Sequence, residues 1–215
     1  MRKVVWIIII LLALLVSVMS FMYLFDGVNE GYLELKSKEV LKSRLWWSFL
    51  YTHIVTGGIA IVIGWIQFSK RMQTTYVKWH RTLGKIYVVM ALLCAISGFY
   101  IGFFATGGWI PATGFIAMAL IYFYTTLQGF LAIKNKQITA HQNYMTYSYA
   151  ACLAAVTLRI YIPLSFVLEI DYILAYSIIA WVSWIPNLAI AWWVNKRREK
   201  TNISFLHLIN VILYR

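Results

Sequence analysis

Apolar residues dominate this chain in six long runs, separated by short polar stretches. The runs cover roughly 4–25, 46–68, 80–104, 109–133, 142–166 and 171–195. About 20 consecutive apolar residues are needed to cross the hydrocarbon core of a bilayer as a helix. The pattern therefore predicts an all-α integral membrane protein with six transmembrane helices. Spans two to five are expected to form a central four-helix bundle flanked by spans one and six. Three prolines interrupt the runs. Pro111 falls in a first helical turn, where its missing N–H is harmless. Pro163 and Pro186 predict kinks near the outer end of span five and in the middle of span six. The run after Met1-Arg2-Lys3 is too long for a typical signal-peptide core and lacks a small-x-small cleavage site, so it reads as a retained helix. Residues 1–200 read as one membrane domain, and 201–215 as a short tail, either an interfacial amphipathic helix or frayed. Its candidate polar face carries Ser204, His207 and Asn210.

Composition agrees with lipid as the solvent. Hydrophobic residues make up 62% of the chain and charged residues 12%, and the mean hydropathy is +0.73. A water-soluble domain of this size cannot hide that much apolar surface. The formal charge of +12 does not point to nucleic acid, because the basic residues sit in short loops between spans. Their distribution predicts orientation instead. Arg2, Lys3, Lys70, Arg71, Lys78, Arg81, Lys134, Lys136, Lys196, Arg197, Arg198 and Lys200 alternate onto one side, the cytoplasm. Lys36, Lys38, Lys42 and Arg44 occupy the other. Both termini are thus expected in the cytoplasm of a bacterial cell, with the protein in its cytoplasmic membrane. Trp46, Trp47, Trp79, Trp109, Trp192 and Trp193 near span ends read as an aromatic belt. Cys94 and Cys152 both fall in mid-span and form no disulfide framework, CxxC pair or haem-attachment motif.

Candidate chemistry lies in three polar stripes at helical spacing. His53, Gly57, Ala60, Gly64 and Gln67 share a face of span two. His80, Gly84, Tyr87, Ala91, Cys94 and Gly98 share one of span three. His141, Met145, Ser148, Cys152, Ala155 and Arg159 share one of span five. Small-residue stripes often mean close helix packing alone. An ionisable residue heading each stripe points to a site as well. Spans three and five both start at the cytoplasmic side, so His80 and His141 share a depth. His53 enters from outside and lies roughly 15–20 Å away along the normal, too far for one tri-histidine metal site. Two imidazoles on different helices at one depth suit axial ligation of a haem b iron. Gly84 and Ser148 would leave room for the macrocycle, and Tyr87 or a loop carbonyl would hold the second ring nitrogen. The plainer alternative is that both histidines open their helices and face lipid headgroups. Arg159 is expected near His53 in the outer leaflet. It would bind a carboxylate or propionate there, or pair with Glu169 or Asp171.

The strings HIVTGGIAIVIGWIQF (53–68), HRTLGKIYVVMALLCAISG (80–98), HQNYMTYSYAACLAAVTLRIY (141–161) and WIPN (184–187) resemble the bacterial membrane family catalogued as domain of unknown function 2306, over about 45–195. Tyr144 and Tyr147 depart from that pattern, where Trp and Arg are expected. Membership implies six or seven spans and says little of activity. A more distant likeness is to b561-type cytochromes, which hold two haems between histidine pairs on their central helices. HRTLG is similar to the start of one of their helices. That likeness implies a haem at His80 and His141, and an outer pocket at His53, Gly57 and Arg159 in which Met118 would stand in for the histidine that span four lacks. The leading expectation is a b-type haem protein that exchanges electrons with a quinone or a redox partner protein. The competing expectation is a non-catalytic assembly or interaction protein, or a carrier of a small ligand or metal, that uses the same histidines. A membrane hydrolase finds no catalytic triad, HExxH motif or paired intramembrane carboxylates here.

Overall fold

In a bilayer every backbone N–H and C=O must be satisfied within the protein, which drives apolar runs into helices. A computed structural model describes residues 2–22, 33 and 35–213, excepting the side chains at 2, 3, 5, 6 and 201–213. Its described elements are all helical: α1 (Arg2–Met22), α2 (Lys38–Lys42), α3 (Arg44–Gln67), α4 (Lys70–Thr74), α5 (Val77–Gly102), α6 (Trp109–Lys134), α7 (Ile138–Cys152), α8 (Ala154–Val167), α9 (Tyr172–Val182) and α10 (Ile185–Leu213). Five helical stretches are long and apolar enough to span a membrane, α7–α8 and α9–α10 each counting as one, and Ile7–Met22 adds a shorter apolar helix. This is a multi-pass membrane protein of about six spans. Span one is α1, span two α3, span three α5 and span four α6; spans five and six are the broken pairs.

Helices α3, α5, α6 and α7 pack in sequence around a ring, which closes through α3 against α7. Spans three and five therefore face each other across a diagonal. Span one covers α3 and α8, while span six covers α6 with α9 and α7 with α10. The core between them holds Ala60, Ile61, Tyr87, Ala91, Cys94, Tyr122, Tyr149 and Cys152.

Local signals set the element ends. The Ser43 hydroxyl accepts the Trp46 N–H at 3.2 Å and starts α3. Asp171 Oδ1 accepts the Leu174 N–H at 2.9 Å and starts α9. Gly107 and Gly108 take φ of 92° and 87°. That left-handed turn, which glycine alone adopts without strain, reverses the chain into α6. Pro111 sits in the first turn of α6, as expected.

Two expectations about kinks resolve differently. Span six breaks at Ser183–Trp184, just ahead of Pro186. Span five breaks at Leu153 and runs unbroken through Pro163 to Val167. Val156 N–H bonds the Leu153 carbonyl at 2.9 Å, a tight three-residue step. The Thr157 hydroxyl bonds the Leu153 and Ala154 carbonyls at 3.3 and 3.1 Å. Such back-bonding bends a helix without proline. The same hydroxyl contacts the Ser183 carbonyl, and Asn187 Nδ2 donates to that carbonyl at 3.1 Å. The breaks in spans five and six are thereby stitched together.

The aromatic belt is present at Trp79, Trp109, Trp192 and Trp193, which are 63%, 75%, 51% and 49% exposed. Lys196 and Arg197 lie over the Trp192 and Trp193 rings at 4.6 and 3.8 Å. Trp46 is a correction: it is buried in the core and packs edge-on to Trp47 at 5.2 Å. Between spans one and two, Lys36 is buried and its ammonium donates to the Phe104 carbonyl at the end of α5. Burial pushes its pKa from 10.5 down to about 8. The tail continues α10 as helix to Leu213. His207 and the proposed polar face lie outside the described side chains.

Candidate functional site

Depth along each helix follows from a rise of 1.5 Å per residue. Counted from the end where Gln67, Val77, Lys134 and Ile138 gather, called here the basic end, His80 and His141 lie only about 5 Å in. Both sit one turn inside their helices, which begin three and four residues earlier than the apolar runs suggest. His141 Nδ1–H donates to the Gly129 carbonyl at 2.7 Å. That bond turns Nε2, with its lone pair, away from the carbonyl. His80 Nδ1 is buried and has no hydrogen-bond partner among the described residues. The two imidazoles stand on diagonally opposed helices at one depth, close enough to interact electrostatically. Gln67 completes this layer, with both Oε1 and Nε2 buried and without a hydrogen-bond partner among the described residues. A Cβ on Gly84 would meet only Gln67 Oε1, at 3.5 Å. The basic end thus gathers His141 with His80 Nδ1 and the Gln67 amide, whose buried polar atoms lack hydrogen-bond partners among the described residues.

The next layer closes the furrow beneath them. Tyr87 Oη and Ser148 Oγ are 2.9 Å apart, and Ser148 Oγ and Thr126 Oγ1 2.7 Å. All three side chains are almost fully buried. Tyr149 Oη donates to the Ile61 carbonyl at 3.2 Å, and its ring fills the space that Gly64 leaves. Met145 fills the space at Gly129. Ser148 is therefore an anchor between helices rather than an opening, and Tyr87 pairs with it rather than with a histidine ring.

The far layer centres on His53. Its ring lies in the notch of Gly98, and Nδ1–H donates to the Cys94 carbonyl at 2.9 Å. Cys94 Sγ is 3.5 Å from the same nitrogen, and Gly57 backs onto that sulfur. Arg159 is an electrostatic neighbour of His53, and its Nη1 donates to the Ala155 carbonyl at 3.1 Å. These residues converge as the stripes suggest. The α6 residue that reaches the Gly98 notch is Ala119; Met118, beside it, is half-buried. Asp171, the other candidate partner of Arg159, caps α9.

Several residues of the site escape a histidine-led reading. Tyr122, Thr126 and Gly129 on α6 complete all three layers. Their spacing of three and four residues is itself a helical face, overlooked because span four has no histidine. On the basic side, Arg198 of α10 donates to Asn143 Oδ1, Asn195 Oδ1 and Thr146 Oγ1 at 3.2, 3.3 and 3.2 Å. Asn143 Nδ2 donates to Glu199 at 2.8 Å. This latch holds α10 against α7 beside His141.

A ring of four apolar spans around buried polar side chains defines the class: a helical-bundle, multi-pass membrane protein. The family model described as "Predicted membrane protein (DUF2306)" matches residues 50–195, and the chain belongs to that family. No curated protein and no solved structure matches it. The likeness to b561-type cytochromes therefore rests on the histidine pattern alone.

Proposed function

We propose that the basic end of the bundle is a bis-histidine site for haem b. On this reading the protein carries electrons in the bacterial cytoplasmic membrane, with both termini cytoplasmic, and exchanges them with a quinone or a redox partner protein. One observation carries the proposal: His80 and His141 lie at one depth on diagonally opposed helices, each with an imidazole nitrogen that has no hydrogen-bond partner among the described residues.

The donor set suits the group. Neutral imidazole is a good iron ligand, and a backbone carbonyl on the opposite ring nitrogen fixes its tautomer and orientation. The Gly129 carbonyl does this for His141. Gly84 keeps the α5 side free of a side chain, and Gln67, against it, offers a buried amide to a polar edge of the ligand. A haem bound there supplies a one-electron couple. The chain's own part is to hold two imidazoles in fixed directions, to seal the lower edge with the Tyr87–Ser148–Thr126 network, and to bind α10 over the mouth through Arg198.

The test is the absorption spectrum of detergent-solubilised protein expressed with ample haem. A Soret band is expected in the wild type and in Arg198→Ala, and its loss in His80→Ala and His141→Ala. A wild type without the band overturns the proposal. The closed furrow below the pair favours a second reading, a carrier for a small cation such as copper or zinc held by His80, His141 and Gln67. Stoichiometric metal on haem-free protein, lost in the same two variants, is its signature.

A further inference from the structure

The outward side of α5 combines charge and depth in a way that the bundle's interior does not require. Tyr87, Ala91, Cys94 and Gly98 are buried along one side of the helix. At 100° per residue, Lys78, Arg81 and Lys85 lie on the opposite side, within about 60° of one another. All three are exposed. Val89, Leu93 and Ile96 continue the same side and are exposed too. On a membrane span this is the side that meets lipid.

Trp79 marks the aromatic belt, and Lys85 lies about 9 Å further in along the helix. A lysine on the lipid side at that depth is costly unless it snorkels back to the headgroups or meets an anion. Its way back runs past Arg81 and Lys78, so snorkelling gathers three positive charges rather than relieving one. The neighbouring α4 packs against α5 and adds Lys70 and Arg71. Counter-charge is lacking within the chain. No acid stands between Glu39 and Glu169 in the sequence, and Glu199, at the basic end, accepts from Asn143. Among the described residues no carboxylate pairs with Lys78, Arg81 or Lys85. Other cations of this end are placed differently: Arg198 is in the latch, Lys196 and Arg197 lie over tryptophan rings, and Lys134 lies over Phe130 at 5.9 Å.

We propose that this side of α5 is a binding site for one anionic phospholipid. Its phosphate is held by Lys78, Arg81 and Lys85, and its acyl chains lie along Val89, Leu93 and Ile96. The dimensions agree. Lys85 and Ile96 are about 16 Å apart along the helix, the depth of one leaflet of a hydrocarbon core about 30 Å thick. The charge selects the headgroup. Phosphatidylethanolamine carries an ammonium of its own, which the cluster repels, whereas phosphatidylglycerol does not. A second copy of the chain is a poor occupant, because a symmetric contact sets the same three cations against each other.

Native mass spectrometry of delipidated protein in detergent, titrated with phosphatidylglycerol, tests the site. One tightly retained lipid is expected, with phosphatidylethanolamine at least about fivefold weaker, the worth of one charge near the surface. At that rate Lys85→Gln weakens phosphatidylglycerol about fivefold, and the triple variant Lys78→Gln/Arg81→Gln/Lys85→Gln about a hundredfold. Lys85→Arg keeps the charge and is expected to bind as the wild type does, which separates lost charge from lost fold. Removing as many charges elsewhere at the same end, in Lys134→Gln/Lys136→Gln/Lys200→Gln, is expected to change affinity by less than about twofold, because distant charges are screened. Glycerol 1-phosphate, a headgroup without chains, is expected not to compete at the lipid concentration that saturates. A wild type that retains no lipid, equal binding of phosphatidylethanolamine, equal loss in the control triple, or competition by glycerol 1-phosphate each overturns the proposal. Dimers that form once lipid is stripped and that phosphatidylglycerol fails to dissociate overturn it in favour of a second copy. None of these outcomes depends on haem.

Discussion

Gly64 is the position where one methyl group should do most damage. A Cβ there would lie 2.3 and 2.4 Å from two carbons of the Tyr149 ring and 3.1 Å from Tyr87. Carbon atoms pack at about 3.5–4.0 Å, so the Tyr149 ring must retreat by more than about 1 Å. It has little freedom to do so. It is buried, lies 5.4 Å from the Phe68 ring, and its hydroxyl is bonded to Ile61, on the same helix as Gly64. Moving the ring off α3 therefore breaks that bond too. Overpacking costs about 1–3 kcal/mol, and an interhelical hydrogen bond in a membrane is worth about 0.6 to 1.7 kcal/mol. Gly64→Ala should thus lose about 2–4 kcal/mol, which lowers the melting temperature in detergent by about 5–12 °C for a chain of this length. Gly129→Ala is the control. Its Cβ would lie 2.6 Å from Met145 Sδ and 3.3 Å from Tyr144 Cβ; the thioether can swing aside and the second contact needs a shift of only a few tenths of an ångström, so the cost should stay well below that at Gly64, at about 1 kcal/mol. In a Tyr149→Ala background most of the Gly64→Ala cost should vanish, because the two effects share one contact. A Gly64→Ala protein that melts with the wild type, or an undiminished cost in that background, refutes the reasoning.

Lys36 should give the stability a distinctive pH dependence. Its pKa is about 8 in the folded protein against 10.5 as a free side chain. Between those values the unfolded chain holds the extra proton, so stability rises as pH climbs from about 8 towards 10.5. The slope stays below the roughly 1.4 kcal/mol per pH unit of a full proton difference, since the side chain keeps some water. Melting curves of wild type and Lys36→Met across that range should converge or cross accordingly, and parallel curves refute the assignment. At the basic end, Arg198→Lys should fail to replace the latch, because one ammonium cannot match the fork that reaches three acceptors. A loss of about 1 kcal/mol corresponds to about fivefold faster amide exchange around residues 195–200. Unchanged exchange there shows that the latch does not hold α10.

Most of the architecture is legible in the hydrophobic runs, because lipid leaves the backbone almost no option but helix. The inward faces are legible too: Gly57, Ala60, Gly64, Tyr87, Ala91, Cys94, Ser148 and Cys152 all turn toward the bundle, as their spacing demands. What the spacing does not carry is the pairing across helices. The stripe on span five suggests an opening at Ser148, whereas Tyr87 and Thr126 fill it, since a buried hydroxyl seeks partners more strongly than it leaves space. The break at Leu153 also escaped, because its cause is a threonine hydroxyl rather than a proline. Trp46 reads as a belt residue by its place in the sequence, yet the turn capped by Ser43 carries it into the core.

The stitched breaks of spans five and six bear on how the protein is made. Asn187 and the interrupted backbone at Ser183 would be poorly accommodated by lipid alone, since carbonyls left open at that depth have no water to turn to. Thr157, one span earlier in the chain, supplies the missing partner. The last two spans should consequently leave the insertion machinery as a hairpin, and a chain truncated before Ser183 should be left with a fifth span that settles poorly.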